Sequence, residues 1–272
     1  MRLTRKISFS SGHRYWREDL SDEENRELFG KWASPYNHGH NYTLNATIEG
    51  PIDRTNGMVI NIKVLDDLMK SRIASKFDQR SINDEVEAFR VTPPTLENLV
   101  AYFAQSLGDL PAGVKLVRIN LIETSRLSAD WTLTENGIMI TLTRKYEFCA
   151  SHRLHSEQLT PDENIELFGK CNNPNGHGHN YVLEVTVTGE KNLESGMIVA
   201  LGELDECVNR LVVDYLDHKN LNLDIPEFGK VNPTSEAVTE MIWNRLDKAL
   251  PATLVKVRLR ETDRNSFEIV RG

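Results

Sequence analysis

Alternating apolar and polar residues mark the first elements that this sequence predicts. Stretches of this kind, rich in β-branched residues, turn one face of a strand toward a core and the other toward water. Four of them are clear: Thr4–Ser10, Asn41–Ile48, Ile138–Phe148 and Asn180–Thr188. Two closing strands are expected at Val114–Glu123 and Leu254–Glu261. Each half of the chain should therefore begin and end with strands.

Between these strands the apolar spacing changes to that of helices. In the second half, apolar residues recur every three or four positions at Leu204, Cys207, Val208, Leu211, Val212 and Tyr215. The next helix should follow Pro233, where Thr234 or Ser235 can cap it and Glu236 suits its positive end. The order strand, strand, helix, helix, strand, strand predicts an α+β fold, with an antiparallel sheet and helices on one face.

The same order occurs twice because the sequence is internally repeated. Leu28–Asn45 and Leu167–Glu184 are identical at 11 of 18 positions, at a constant offset of 139. The offset becomes 138 near the end of each half, where Glu123 aligns with Glu261. A tandem duplication explains this pattern. We expect a first domain at 1–136 and a second at 137–272, divided at the Asn136-Gly137 turn signal.

Charge and cysteine content narrow the class of protein. The 272 residues have a formal net charge of −8, which argues against a nucleic-acid binder or a membrane-surface binder. Met1–Ile7 lacks the apolar core of a secretory leader, and no apolar run approaches the roughly 18 residues of a membrane span. Three irregularly spaced cysteines predict no disulfide framework. We expect a cytoplasmic protein.

Six of the eight histidines occupy duplicated positions, which predicts one metal site in each half. They are His13, His38 and His40, and then His152, His177 and His179. In a His-Gly-His sequence on a strand, both imidazoles lie on one face because side chains alternate. A neighbouring strand can bring the third histidine alongside. An isolated histidine is more often structural, but three neutral imidazoles with an open fourth position are typical of a catalytic zinc site.

Cys171 is the candidate reactive thiol. It lies six residues before His177, in a loop rich in glycine and asparagine, with no apolar stripe around it. A nearby metal ion and Lys170 would favour its thiolate form. By contrast, Cys207 lies on the apolar face of a predicted helix and Cys149 in a strand-like stretch. We interpret these two cysteines as core residues.

Asp217 and His218 form a second candidate, because a carboxylate can set the basicity and orientation of a neighbouring imidazole. The alternative is an ordinary polar loop after a helix. The first half has Trp32 at the position of Cys171 and Gln79 at the position of His218. The joint loss of a thiol and an imidazole suggests that these two groups share one proton-transfer role.

The motifs of the second half resemble those of the 6-pyruvoyl tetrahydropterin synthase family, which includes the 6-carboxytetrahydropterin synthases of queuosine biosynthesis. In family order they are His152, GKCNNPNGHGHNY at Gly169–Tyr181, LDHKNLN at Leu216–Asn222, PTSE at Pro233–Glu236, and Glu261-Thr262. The first half is similar to a degenerate member of the family. The resemblance implies a tunnelling fold (T-fold), in which each unit has four antiparallel strands and two helices.

The resemblance also implies a lyase that acts on 7,8-dihydroneopterin triphosphate and eliminates triphosphate. Carried over by position, the roles fall on His152, His177 and His179 as zinc ligands, on Cys171, Asp217 and His218 as catalytic residues, and on Thr234, Glu236 and Glu261 as pterin-binding residues. Cys171 would act as the general base, and the Asp-His pair would complete the proton relay. In the first half, His13, His38 and His40 would hold a second zinc ion.

The family's assembly implies a homo-oligomer, with three units closing a barrel and two barrels stacking. Three chains supplying six units are expected, and second copies should meet one another because the family's Asp-His pair reaches the cysteine of a neighbouring unit. Two alternatives stay open. One is the carboxy-type reaction, which releases acetaldehyde and triphosphate, and the other is a pterin- or metal-binding protein without turnover.

Overall fold

A computed structural model describes residues 1–111 and 113–272, which form two compact units. Unit 1 contains Met1–Thr143 and Thr188–Gly202, and unit 2 contains Arg144–Val187 and Glu203–Gly272. A segment of the second sequence repeat therefore belongs to unit 1. The division at 1–136 and 137–272 stays a prediction about the repeats and does not describe these compact units.

Alternating burial along the strands forms the sheet of each unit. The strands are β1 (Arg2–His13), β2 (His38–Glu49), β3 (Arg80–Ser81), β4 (Lys115–Thr124), β5 (Leu127–Thr134), β6 (Gly137–His152), β7 (His177–Thr188), β8 (Lys219–Asn220), β9 (Thr253–Thr262) and β10 (Asn265–Val270). In unit 1 the order is β5-β4-β2-β1-β3, antiparallel except for the β1–β3 pair. In unit 2 the order is β10-β9-β7-β6, with the short β8 parallel to β6.

The helices predicted from the apolar spacing follow the second strand of each repeat, and one further helix in each repeat lies between the first two strands. They are α1 (Asp22–Phe29), α2 (Ile62–Met69), α3 (Ser75–Phe77), α4 (Ile82–Glu85), α5 (Leu96–Ser106), α6 (Pro161–Phe168), α7 (Leu201–Val208), α8 (Asp214–Leu216), α9 (Leu221–Asp224) and α10 (Ser235–Leu246). One π-helical turn joins α2 to α3 and another joins α7 to α8. In unit 1, α5 packs on β4 and β5. The α+β fold class with two T-fold units is confirmed.

The predicted strands all lie within observed ones or coincide with them to one residue, but the observed strands are longer. β1 continues from the predicted Ser10 to His13, and β6 continues from Phe148 to His152. The extra residues are Ser, Gly, Ala, Cys and His, whose types do not by themselves mark a strand. Pairing with the neighbouring strand extends the ladder through them, and this extension carries the first histidine of each triad into the sheet.

Stacked aromatic rings support the sheet beside each triad. Phe9 and Tyr42 stack with ring centroids 5.2 Å apart in unit 1, and Phe148 and Tyr181 stack at 5.0 Å in unit 2. Both tyrosines are fully buried and lie two residues after the last histidine of each triad. Because strand side chains alternate, these residues share a face with the histidines and limit their movement.

The interpretation of Cys149 as a core residue is wrong. Cys149 is exposed, whereas Phe148 and Ala150 on either side of it are buried. Successive side chains of a strand point to opposite faces, so two buried neighbours place Cys149 on the outer face. Cys207 is buried, as its helical position predicts. No helix in the described residues is long and apolar enough to cross a membrane.

A buried asparagine fixes the turn that leads into the Cys171 loop. Asn164 accepts a hydrogen bond from the Ser156 amide at 2.8 Å and donates to the carbonyls of Ser156, Leu159 and Thr160. Replacing Asn164 with alanine removes all four of these hydrogen bonds, including those of the Ser156 amide and the Leu159 carbonyl, so we expect a loss of about 2–4 kcal/mol of unfolding free energy. Chemical denaturation measures this loss. The exposed Gln158→Ala serves as control, and equal midpoints for the two variants would contradict the prediction.

Candidate active site

Strand register assembles the first triad. His13 of β1 lies directly opposite His38 of β2, and His40 lies opposite Ser11. Since residues two apart on a strand share a face, His38 and His40 both lean toward His13. The ring centroids lie 4.6 Å (His13–His38), 5.1 Å (His13–His40) and 4.9 Å (His38–His40) apart.

The second triad repeats this arrangement in unit 2. His152 ends β6 and His177 begins β7, and their ring centroids lie 4.7 Å apart. His179 lies 5.3 Å from His152 and 4.8 Å from His177 by the same measure. In each triad one nitrogen from every ring lies within 4.8 Å of the others, and these are the two clusters of possible metal ligands found in the described residues.

A backbone carbonyl orients the first histidine of each triad. The Nδ1 of His152 donates to the carbonyl of Pro233 at 2.8 Å, and that of His13 donates to Pro94 at 3.3 Å. The proton on Nδ1 leaves a lone pair on Nε2, which faces the other two rings. Within the described residues, no hydrogen bond reaches the Nε2 atoms of His13, His40, His152 and His179 or the Nδ1 of His177. Buried imidazole nitrogens without partners fit a bound metal ion.

The protein favours the neutral form of His13, His38, His40, His177 and His179, as metal ligation requires. Burial, followed by the neighbouring imidazoles, lowers the pKa of His13 to about 3, and similar causes lower the pKa of His40 to about 4. Desolvation also lowers the pKa values of His177 and His179. These pKa directions describe the protein without a metal ion. A carboxylate also lies beside the imidazoles in each unit.

Glu261 lies beside the second triad. Its Oε1 is 3.8 Å from the Nε2 of His152 and 3.7 Å from the Nε2 of His179. Ser235 donates to the same oxygen at 2.8 Å, which fixes the carboxylate at the N-terminus of α10. Glu123 holds the matching place in unit 1, 3.6 Å from the Nε2 of His13. The residue predicted to bind the pterin is thus a carboxylate beside the possible metal ligands of unit 2.

The sequence identified Ser235 only as a possible helix cap. The cap is Thr234, whose Oγ1 accepts from the Ala237 amide at 3.3 Å. This leaves the Ser235 hydroxyl free to bind Glu261. The duplicated Pro-Thr motif signals the cap in both halves, but Leu96 stands at the position of Ser235 in the first. Glu236, predicted to bind substrate, is exposed on the first turn of α10.

Cys171 lies half-buried in the short helical turn Gly169–Asn172. Its carbonyl accepts from the Leu154 amide at 2.8 Å, which ties this turn to the segment after His152. Burial, and then the Glu261 carboxylate, raise the pKa of the Cys171 thiol. The protein alone therefore favours the thiol, and Lys170 is exposed beside it. A cation on the histidines is the group that would favour the thiolate.

Asp217 and His218 form a hydrogen-bonded pair at the surface. His218 Nδ1 and Asp217 Oδ2 are 2.8 Å apart, and the His218 side chain is 82% exposed. Two backbone bonds hold the pair against β6: the Cys149 amide donates to Asp217 at 2.7 Å, and the His218 amide donates to the Cys149 carbonyl at 2.6 Å. Within the described residues, no hydrogen bond joins this pair to Cys171.

Unit 1 has the same supporting backbone hydrogen bond and turn conformation as unit 2, but different side chains at the positions of Cys171 and His218. The Ser10 amide donates to Asp78 at 2.9 Å, as the Cys149 amide does to Asp217. Gln79 replaces the imidazole but has φ 59°, close to the 57° of His218. Trp32 occupies the turn that carries Cys171 in unit 2. The two units thus share a set of three possible histidine ligands. Only unit 2 also has the Cys171 thiol and the additional imidazole of His218.

Comparison with known proteins agrees with this geometry. The sequence model of the 6-pyruvoyl tetrahydropterin synthase family matches residues 2–133 and 141–271. The 6-pyruvoyl tetrahydrobiopterin synthase of Homo sapiens is 49% identical over 125 residues, which are 46% of this chain and 86% of that protein. That of Dictyostelium discoideum is 42% identical over 133 residues, 49% of this chain and 96% of that protein.

A solved structure of the Caenorhabditis elegans 6-pyruvoyl tetrahydropterin synthase has 42% sequence identity to this chain and a TM-score of 0.47. The matched region is 49% of this chain and 96% of the chain in the solved structure. The family match extends over both sequence repeats and includes both triads. The chain belongs to the 6-pyruvoyl tetrahydropterin synthase family, a family of lyases.

Proposed function

We propose that this chain is a zinc-dependent lyase that converts 7,8-dihydroneopterin triphosphate into 6-pyruvoyl-tetrahydropterin and triphosphate. The observation that carries the proposal is the position of Glu261 in unit 2, which lies beside three imidazoles whose buried nitrogens have no hydrogen-bond partner and also acts electrostatically on the Cys171 thiol. Unit 1 has the imidazoles and a carboxylate but no thiol at this place. One reactive site per chain follows.

His152, His177 and His179 would hold the zinc ion, because neutral imidazoles with a free lone pair suit it. When bound there, zinc supplies Lewis-acid polarisation of the hydroxyl groups of the substrate side chain. The histidines themselves are held by the Pro233 carbonyl and by the strand pairing of β6 with β7. This rigid support keeps the reacting carbon within reach of the thiol.

Cys171 acts as the general base in this proposal and removes a carbon-bound proton from the substrate side chain. The electron pair released at the carbon next to the ring passes into the C=N bond of the dihydropterin, which is protonated and so reduced, while that side-chain carbon becomes a carbonyl. A second proton removal, from the next carbon, lets its electron pair expel triphosphate, and the resulting enol tautomerises to the second carbonyl. Oxidation and reduction thus balance within the substrate, and no external oxidant or reductant is needed. Asp217 and His218 of a neighbouring unit then carry the proton to and from the thiol, since their exposed position makes them accessible to another chain. Glu261 anchors the pterin ring by accepting hydrogen bonds from its N–H groups, with Thr234 and Glu236 nearby.

Product identity tests the proposed reaction. The purified holoenzyme, incubated with 7,8-dihydroneopterin triphosphate, is expected to release triphosphate and a pterin that retains the three-carbon side chain. Chromatography with mass spectrometry identifies both products. Release of acetaldehyde would instead assign the carboxy-type reaction, and pterin binding without turnover would assign a non-catalytic protein.

The assembly belongs to the same proposal. We infer a homo-oligomer of three chains supplying six units, in which second copies meet so that each Cys171 receives an Asp217-His218 pair. A first-copy neighbour would offer Asp78 and Gln79 and so would lack the imidazole. A cytoplasmic location is consistent with a thiol that must stay reduced. A native mass of a single active chain would contradict this assembly.

A further inference from the structure

A loop of the second repeat packs against the first triad's supporting segment. Residues 192–199, which belong to unit 1, form this loop, and residues 93–98 receive it. Thr95 Oγ1 donates to the Gly196 carbonyl at 3.0 Å, and the Ile198 amide donates to Glu97 Oε1 at 2.9 Å. Both hydrogen bonds are buried, and Glu97 is only 2% exposed. The receiving segment is the one whose Pro94 carbonyl orients His13.

The first repeat contains the same loop at residues 53–60, with the same internal hydrogen bonds. Gly57 donates to the Asp53 carbonyl at 2.7 Å, and Gly196 donates to the Asn192 carbonyl at 2.8 Å. Gly57 has φ 74° and Gly196 has φ 75°. The loop is therefore preformed in both repeats, so it can bind a partner with little loss of conformational entropy.

The two loops differ in what covers them. Met58 in the loop is 43% exposed and Ile62, at the start of the helix after it, is 41% exposed, whereas their counterparts Met197 and Leu201 are each 4% exposed. A Cβ atom on Gly196 would meet the Asn98 side chain, but one on Gly57 would meet nothing within 4 Å. Loop 53–60 thus presents an apolar surface that its counterpart buries.

The second repeat has the matching receiving segment at residues 232–237, and it is also uncovered. Glu236 is exposed, and no hydrogen bond from the described residues reaches its carboxylate, whereas Glu97 is buried by loop 192–199. The segment borders the second triad through the Pro233 carbonyl on His152 and the Ser235 hydroxyl on Glu261. Each chain therefore has one unfilled loop and one unfilled receiving segment.

We propose that loop 53–60 of one chain docks on residues 232–237 of a second copy of this chain, next to that copy's Cys171 site. This contact between two chains has the same form as the contact that loop 192–199 makes within unit 1. The Val59 amide donates to Glu236, and Thr234 donates to the Gly57 carbonyl. Glu236 keeps its second carboxylate oxygen for substrate. The contact is heterologous, so a closed ring of chains, including the three chains inferred above, fills every loop and every receiving segment.

Cross-linking tests the contact directly. Photoreactive benzoylphenylalanine at position 58, in a mixture of isotopically heavy and light chains, should cross-link to the peptide containing residues 232–237 of another chain. The same probe at Leu193, which is 99% exposed on the docked counterpart loop, should not reach that peptide. Cross-links confined to the probe's own chain, or the absence of any, would overturn the proposal.

A complementation assay tests the contribution to the site, and this part rests on the proposed function. Met58→Asp is expected to lower activity at least tenfold, and Cys171→Ala to lower it by about 10²-fold or more. Mixed oligomers should regain activity, because an intact Cys171 in the Met58→Asp chain meets an intact loop from the other chain. Mixed oligomers no more active than Met58→Asp alone, with an active wild type, would overturn the docking. An inactive wild type that still cross-links would overturn the function instead.

Discussion

Replacing Cys171 with alanine should lower kcat by about 10²–10⁴-fold, the usual contribution of a positioned general base. Cys171 is the thiol at the second triad, and the Glu261 carboxylate lies near enough to raise the pKa of that thiol. Steady-state kinetics with 7,8-dihydroneopterin triphosphate measures the loss. KM should change little, because the proposed zinc ligands and the proposed pterin anchor remain in place.

Cys149→Ser is the matched control for this substitution. Cys149 is also a free and accessible thiol, but it lies on the outer face of β6, and serine stands at the same position in the first repeat. Its backbone, which holds Asp217 and His218, is unchanged by the substitution. The control should keep kcat within about twofold. If Cys171→Ala were equally active, Cys171 could not be the base.

Metal content should be two ions per wild-type chain, one for each triad. The two ligand sets have closely similar geometry, with an imidazole oriented by a proline carbonyl in each. His177→Ala and His38→Ala should each lower the content to about one ion per chain, because two imidazoles bind zinc far more weakly than three. Elemental analysis after gel filtration gives the ratio directly.

Activity separates the two sites in the same variants. His177→Ala should reduce kcat by more than 10²-fold, since it removes the ion at the Cys171 site. His38→Ala should lower kcat far less, because its triad lacks a thiol. The double variant should hold no stoichiometric metal. A wild-type chain that binds a single ion would show that the first triad has lost its metal.

Much of this site could be predicted from the sequence because it depends on side-chain alternation along a strand and on the pairing of neighbouring strands. Alternation along a strand places His177 and His179 on one face, and the duplicated spacing brings His152 to the same sheet. These relations depend only on the period of a strand and the pairing of its neighbour. The comparison of Cys171 with Trp32 required no structure at all.

Features that depend on tertiary packing could not be predicted from the sequence. Cys149 resembles a core residue until its buried neighbours fix the face on which it lies. The bond from Ser235 to Glu261 joins residues from a helix and a strand whose approach no local pattern specifies. The assignment of Thr188–Gly202 to unit 1 follows from packing between repeats that are alike in sequence. Near-identical motifs cannot reveal which partner each of them contacts.

The left-handed backbone shared by Gln79 and His218 bears on how the first repeat changed. A non-glycine residue in this conformation costs roughly 1 kcal/mol, and unit 1 retains that cost with no imidazole to position. The main-chain conformation of the proposed relay is therefore also present at Gln79, and the difference between the two repeats at this position is confined to the side chain. An imidazole at position 79 would find its carboxylate neighbour, Asp78, already in place. The first repeat therefore has the main-chain geometry on which a second reactive centre can be built by changing side chains.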